Sequence, residues 1–260
     1  MTEPLIQLRE LSFGFGERAV LERVDFSLSA GERVALVGDN GAGKTTLLQL
    51  MVGLHRPSGG EIIAFGRPRV RESDFREVRA LAGLLFQDSD DQLFCPTVLE
   101  DVTFGPLNLG HNPQQAIAIA RRTLETLGLA GLADRITHKL SGGEKRMVAL
   151  AGVLAMEPRV LLMDEPTNGL DSKAQERLLE HLENLPLAML FVSHDLGVVE
   201  RLATRAVLMK ERKLCEAVMH VHPHVHTHSH LHIHAEGQPG DHKHPSAPVP
   251  HDDHHGAGPA

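Results

Sequence analysis

"VALVGDNGAGKTTLLQL", residues 34–50, decides the fold. An apolar run is cut by glycines at Gly38, Gly41 and Gly43, and helical spacing begins at Lys44. That is the order strand, glycine-rich loop, helix. Gly38, Gly43, Lys44 and Thr45 satisfy the spacing G-x-x-x-x-G-K-[ST]. In such a loop the glycines let backbone N–H groups curl round phosphate oxygens, the lysine ammonium neutralises the outer phosphates, and the hydroxyl after it ligates Mg²⁺. The loop sits between a strand pattern and a helix pattern, as that chemistry requires, so nucleotide binding is favoured over an ordinary glycine turn.

Working outward, "VDFSL" at 24–28 and "ERVALVG" at 32–38 read as strands, and so do "VLLMDEP" at 160–166 and "AMLFVSHD" at 188–195. The last two are each followed by a helical stretch. Alternating strands and helices predict an α/β fold with a parallel core sheet. Between the phosphate-loop block and the strand at 160–166, residues 88–140 are richer in helical patterning and are expected to form a subdomain.

With 260 residues, 42% apolar and 23% charged, the chain can bury a real core. A formal charge of −8 provides no global basic field for nucleic acid or anionic lipid. Cys95 and Cys215 lie far apart and form no metal-ligand spacing, so a reduced, cytosolic chain is the expectation. The opening "MTEPLIQLRE" has no apolar core of a secretory signal, and no apolar run reaches the roughly 18 residues of a membrane span. Attachment to a membrane is therefore expected only through a partner. There is no tryptophan or tyrosine, so stacking must come from the nine phenylalanines or from histidine.

Asp164 ends the apolar run "VLLM" and so places a carboxylate at a sheet edge, where it can hold a metal or its waters. Glu165, next to it, is a candidate general base for an attacking water. In "LSGGEKRM", Ser141, Gly142 and Gly143 open a helix without large side chains, leaving its positive end free to meet an anion. A plain serine-capped helix is the ordinary reading of such a triplet. In a chain that already has a phosphate cradle, a second anion-binding helix start suggests two copies meeting head to tail over shared nucleotides.

The set resembles the ATP-binding subunits of ABC transporters. "GDNGAGKTT" is similar to their Walker A, Gln87 in "LLFQD" to their Q-loop, "LSGGE" to their signature and "VLLMDEP" to their Walker B. Asp171 in "NGLD" and His194 in "VSHD" are similar to the D-loop and the switch histidine. The resemblance covers residues 1–217 and implies a P-loop NTPase cassette with an N-terminal antiparallel β part and a helical subdomain. It implies an ATPase whose ATP site takes in Gly38, Asp39, Asn40, Gly41, Ala42, Gly43, Lys44, Thr45 and Thr46. Asp164 would coordinate Mg²⁺ with Thr45 and Gln87, Glu165 would be the base, and His194 would sense the γ-phosphate. Gln87 would also link the site to a membrane partner. Ser141, Gly142, Gly143, Glu144 and Asp171 would serve the nucleotide of a second subunit, identical or closely related. Phe15 stands where the family usually places a stacking tyrosine, with Phe13 as a rival.

Residues 85–110, "LFQDSDDQLFCPTVLEDVTFGPLNLG", are similar to the ATPase component of energy-coupling-factor importers, especially the cobalt and nickel group. This implies a motor on the cytoplasmic face of the membrane, bound to integral transport components. A vitamin or other small-molecule importer, and a soluble ABC ATPase with a metal-storage tail, stay open as alternatives.

Composition shifts near Ala217: residues 220–260 hold 13 of the 18 histidines. Without recurring large apolar residues, 218–260 is expected to be a disordered tail until something binds it. In "HVHPHVHTHSHLHIH", His220, His222, His224, His226, His228, His230, His232 and His234 alternate with other residues. In an extended chain, residues two apart lie about 6.6 Å from one another on one side. Neutral imidazoles so placed suit Ni²⁺, Co²⁺, Zn²⁺ or Cu²⁺, as against a mere solvated linker, and do not select among them.

Overall fold

The computed structural model describes residues 3–223 and 229–235. An antiparallel sheet in the order β2-β1-β4-β5 is built from β1 (Ile6–Phe15), β2 (Arg18–Leu28), β4 (Gly59–Ala64) and β5 (Arg67–Arg69). The second sheet runs β11-β10-β9-β3-β8-β7-β6. Its members are β3 (Arg33–Gly38), β6 (Ala82–Leu85), β7 (Val160–Asp164), β8 (Ala188–Val192), β9 (Arg205–Lys210), β10 (Lys213–Pro223) and β11 (Ser229–Ala235). Strands β9, β3, β8, β7 and β6 pair in parallel, whereas β10 and β11 add an antiparallel edge. The core sheet is therefore mixed and mainly parallel, with the predicted N-terminal antiparallel part beside it.

The continuous apolar runs follow from burial on both faces. Along β7, Leu161 and Met163 belong to one core and Val160 and Leu162 to the other. Phe191 and Leu190 divide the same way along β8. Because successive side chains point to opposite faces, a strand covered on both sides needs apolar residues at every position.

Helices α1 (Lys44–Met51), α2 (Glu72–Leu81), α6 (Ser172–Glu183) and α7 (Leu196–Leu202) connect the strands. Between β6 and β7 lie α3 (Val98–Asn108), α4 (Pro113–Thr126), two short 3₁₀ turns and α5 (Gly142–Leu154). α3 starts with a capping box, in which Thr97 and Glu100 satisfy each other's backbone N–H groups. Val98, Val102, Ala120, Leu124 and Val148 join these helices to the core under the sheet. Among the described residues, no helix is long and apolar enough to cross a membrane.

The boundary that composition suggests after residue 217 falls inside β10. That strand continues to Pro223 and pairs with β11, setting His220 opposite His232 and His222 opposite His230. Of the stretch 218–260, the described residues 218–223 and 229–235 form an antiparallel ribbon. Period-two alternation with β-branched residues is strand-compatible, and the edge of β9 offers backbone groups to extend. His234 lies opposite Val218, and His224, His226 and His228 fall outside the described residues.

Candidate functional site

The loop after β3 is shaped by backbone that only glycine tolerates. Gly38 has φ +146°, and a Cβ there would stand 2.4 Å from the Met209 carbonyl oxygen. Gly43, at φ +107°, is the N-cap of α1 and gives the helix no side-chain cap. The first-turn N–H groups of α1 have no acceptor within the helix, and its dipole adds positive character there. This is a cradle for an anion. Lys44, 7% exposed, donates from Nζ to the carbonyls of Gly38 at 2.7 Å and Asp39 at 2.9 Å. Burial pulls its pKa below the usual lysine value, against the opposing charges of Glu165, Asp164 and Asp39.

The carboxylates come from the end of β7. Asp164 is 4% exposed. Glu165 has φ +46°, left-handed backbone that costs a non-glycine residue about 1–3 kcal/mol, and its N–H donates to the Val192 carbonyl at 3.1 Å. That bond ties the end of β7 to the end of β8, where His194 follows. Glu165 Oε1 is buried and has no hydrogen-bond partner, although His194 Nε2 stands 3.2 Å away. The distance is close enough but the geometry is not that of a hydrogen bond. His194 Nε2 is also 3.4 Å from Lys44 Nζ.

These groups line one cavity of about 650 Å³. Its walls include the predicted Phe15, Asn40, Gly41, Gly43, Lys44, Thr45 and Thr46, and also Gln87, Asp164, Glu165 and His194. Asp39 and Ala42 line an adjoining hollow. Phe15 is 53% exposed, while Phe13 is buried and absent from the wall. Arg18, Val20, Asn168 and Val192 also line the cavity, and no sequence spacing singles them out. Among the described residues no group of three or more His, Cys, Asp or Glu side chains is placed to hold a metal. Thr45 and Asp164 instead offer one hydroxyl and one carboxylate, a donor set that fits Mg²⁺ shared with substrate phosphates. The orphaned Glu165 oxygen likewise fits a bound water.

The glycine-paired helix start lies apart. Ser141 caps α5 in a capping box: its Oγ accepts from the Glu144 N–H, and Glu144 Oε2 accepts from the Ser141 N–H at 2.8 Å. These bonds hold the Glu144 carboxyl below its usual range. The serine-capped helix is thus present, with the N–H groups of Gly142 and Gly143 left without acceptors in the helix. Gly143 meets α6, for a Cβ there would stand 2.7 Å from Ala174 Cβ. Asp171 caps α6, accepting from the Ala174 N–H at 2.8 Å. Of this group only Gly142 reaches a cavity beside Thr45, Gln87 and Asp164.

Arg146 is the residue that pattern reading misses. It is 3% exposed, donates to the carbonyls of Phe86 and Gln87, and leaves Nε without a partner. Burial lowers its pKa. It fastens the segment carrying Gln87 to α5, and only the fold brings the two together.

A sequence profile described as ABC transporter matches residues 21–168. An ABC transporter ATP-binding protein of Brucella suis biovar 1 is 56% identical over 84% of this chain and 91% of its own length. The energy-coupling factor transporter ATP-binding protein EcfA of Methanoculleus marisnigri is 40% identical over 81% of this chain and 77% of its own. Among solved structures, cbiO1 of Clostridium perfringens, part of the ABC transporter complex cbiONQ, superposes with a TM-score of 0.74 at 32% identity, covering 82% of this chain and 87% of that one. Fold, cavity and likeness agree, and the chain belongs to the ABC transporter family as an ATP-hydrolysing subunit close to the energy-coupling-factor ATPases.

Proposed function

We propose that this chain is the motor of an energy-coupling-factor importer for cobalt or nickel ions, seated on the cytoplasmic face of the membrane against integral transport components. The observation that carries the hydrolytic half is the meeting of Lys44, Glu165 and His194 at the uncapped start of α1. Lys44 and the first-turn N–H groups hold the outer phosphates of ATP. Thr45, Asp164 and Gln87 would hold Mg²⁺, which would supply positive charge to offset that of the ATP phosphates. Glu165 takes a proton from the attacking water, whose oxygen bonds to the γ-phosphorus as the bond to the ADP oxygen breaks. His194 orients that water or the phosphate it attacks. Phe15, exposed at the cavity wall, is the platform for adenine.

ABC ATPases dimerise and work with membrane components. In a dimer of this chain with itself or a close relative, the free N–H groups of Gly142 and Gly143, with Ser141, meet the nucleotide of the other subunit, and Glu144 and Asp171 stand at the same junction. The importer half is supported by the likenesses to EcfA and cbiO1. It is also supported by a groove of about 580 Å³ beside the Gln87 segment, where Phe94 and Phe104 pack edge to face and stay exposed. Such a surface suits an apolar helix of a membrane partner. The tail histidines, taken as an accessory Ni²⁺, Co²⁺ or Zn²⁺ site, agree with the proposed cargo.

Uptake of radiolabelled Ni²⁺ and Co²⁺ in cells with and without the chain tests the reading. Uptake is expected to disappear with the chain. Unchanged uptake, with ATPase activity intact, would assign the motor to another cargo such as a vitamin.

A further inference from the structure

His55 lies outside every motif, yet it touches the aromatic wall of the nucleotide cavity. Its ring and that of Phe13 lie 5.2 Å apart and 29° from parallel, a stacked pair. Phe15 stands perpendicular to both, 86° from Phe13 with centroids 4.9 Å apart and 89° from His55 with centroids 5.4 Å apart. Edge-to-face contact is the favoured arrangement of such rings. Phe15 has no hydroxyl that a hydrogen bond could hold, so these two contacts set the angle of a ring that is 53% exposed. His55 is itself anchored, with Nε2 3.1 Å from Gln49 Oε1. Gln49 belongs to α1, the helix whose first turn opens at the phosphate loop.

We propose that His55 is a positioning residue for base recognition, bracing Phe15 through its ring and fixing that brace to the phosphate-binding helix through Gln49. This rests on the reading of Phe15 as the adenine platform. A base and a triphosphate are one rigidly spaced ligand, so a platform tied to α1 keeps both halves in register, whereas an unbraced ring must be ordered at each binding event. The brace touches no phosphate. It therefore acts on affinity for the base and leaves the chemical step alone.

The test is calorimetric binding to the full-length chain of ATP without Mg²⁺, which holds hydrolysis off, and of inorganic tripolyphosphate. His55→Ala is expected to weaken ATP binding about three- to tenfold and leave tripolyphosphate unchanged. His55→Phe, which keeps a ring, restores ATP affinity, and kcat at saturating ATP matches the parent in both variants. Equal weakening of both ligands would reveal general damage and overturn the inference. Parent-like ATP affinity in His55→Ala, with Phe15→Ala weakened, would overturn it while sparing the platform. Parent-like affinity in Phe15→Ala would remove the platform itself.

Discussion

Glu165 Oε1 and His194 Nε2 stand 3.2 Å apart at the ends of neighbouring strands, yet that Glu165 oxygen is buried and has no hydrogen-bond donor. A buried carboxylate oxygen left unpaired costs stability, which makes it a poor structural feature and a good acceptor for a substrate water.

Glu165→Gln keeps shape and loses basicity. Nucleotide binding should persist while kcat falls about 10²- to 10⁴-fold, as loss of a general base does. Steady-state phosphate release together with equilibrium ATP binding checks both halves, and normal turnover would remove Glu165 from the role.

Lys44→Ala takes the only lysine that lines the cavity among the described residues and leaves the carbonyls of Gly38 and Asp39 without their shared donor. ATP binding should be lost in calorimetry at concentrations that saturate the parent, with the fold kept by far-ultraviolet circular dichroism.

Gly38→Ala would place a methyl 2.4 Å from the Met209 carbonyl in backbone that alanine resists. The end of β3 must move from β9, and denaturant unfolding should show a loss of about 1–3 kcal/mol. An unchanged midpoint would mean the loop adapts freely.

Hydrogen bonds from Ser141 hold the Glu144 carboxyl below its usual range, so its ionised form is favoured in the fold. A depressed folded pKa contributes stability above the ordinary carboxylate value, and that stability is lost as pH falls through the folded value. Glu144→Gln should therefore melt below the parent at pH 7, the gap closing toward pH 3. A gap that stays constant with pH would exclude this linkage.

Deleting residues 220–260 should abolish tight Ni²⁺ binding to the chain by equilibrium dialysis and leave basal ATPase activity within about twofold. A collapse of ATPase activity would give the ribbon of β10 and β11 a part in the motor.

The chemistry of the phosphate loop was legible in the sequence because it depends on residues adjacent along the chain. Gly38 to Thr46 form their own cradle, and the apolar runs of β7 and β8 announce strands buried on both faces. The resemblance put Phe15 before its rival Phe13, and the fold adds that Phe15 is exposed at the cavity wall and Phe13 buried. Contacts between distant segments left no local pattern: Arg146 reaching Phe86 and Gln87, Gly143 against Ala174, and His55 beside Phe15. A spacing rule reports what neighbouring residues do to one another, whereas those pairs exist because sheet order and helix packing bring remote backbone together, and tertiary structure alone decides that.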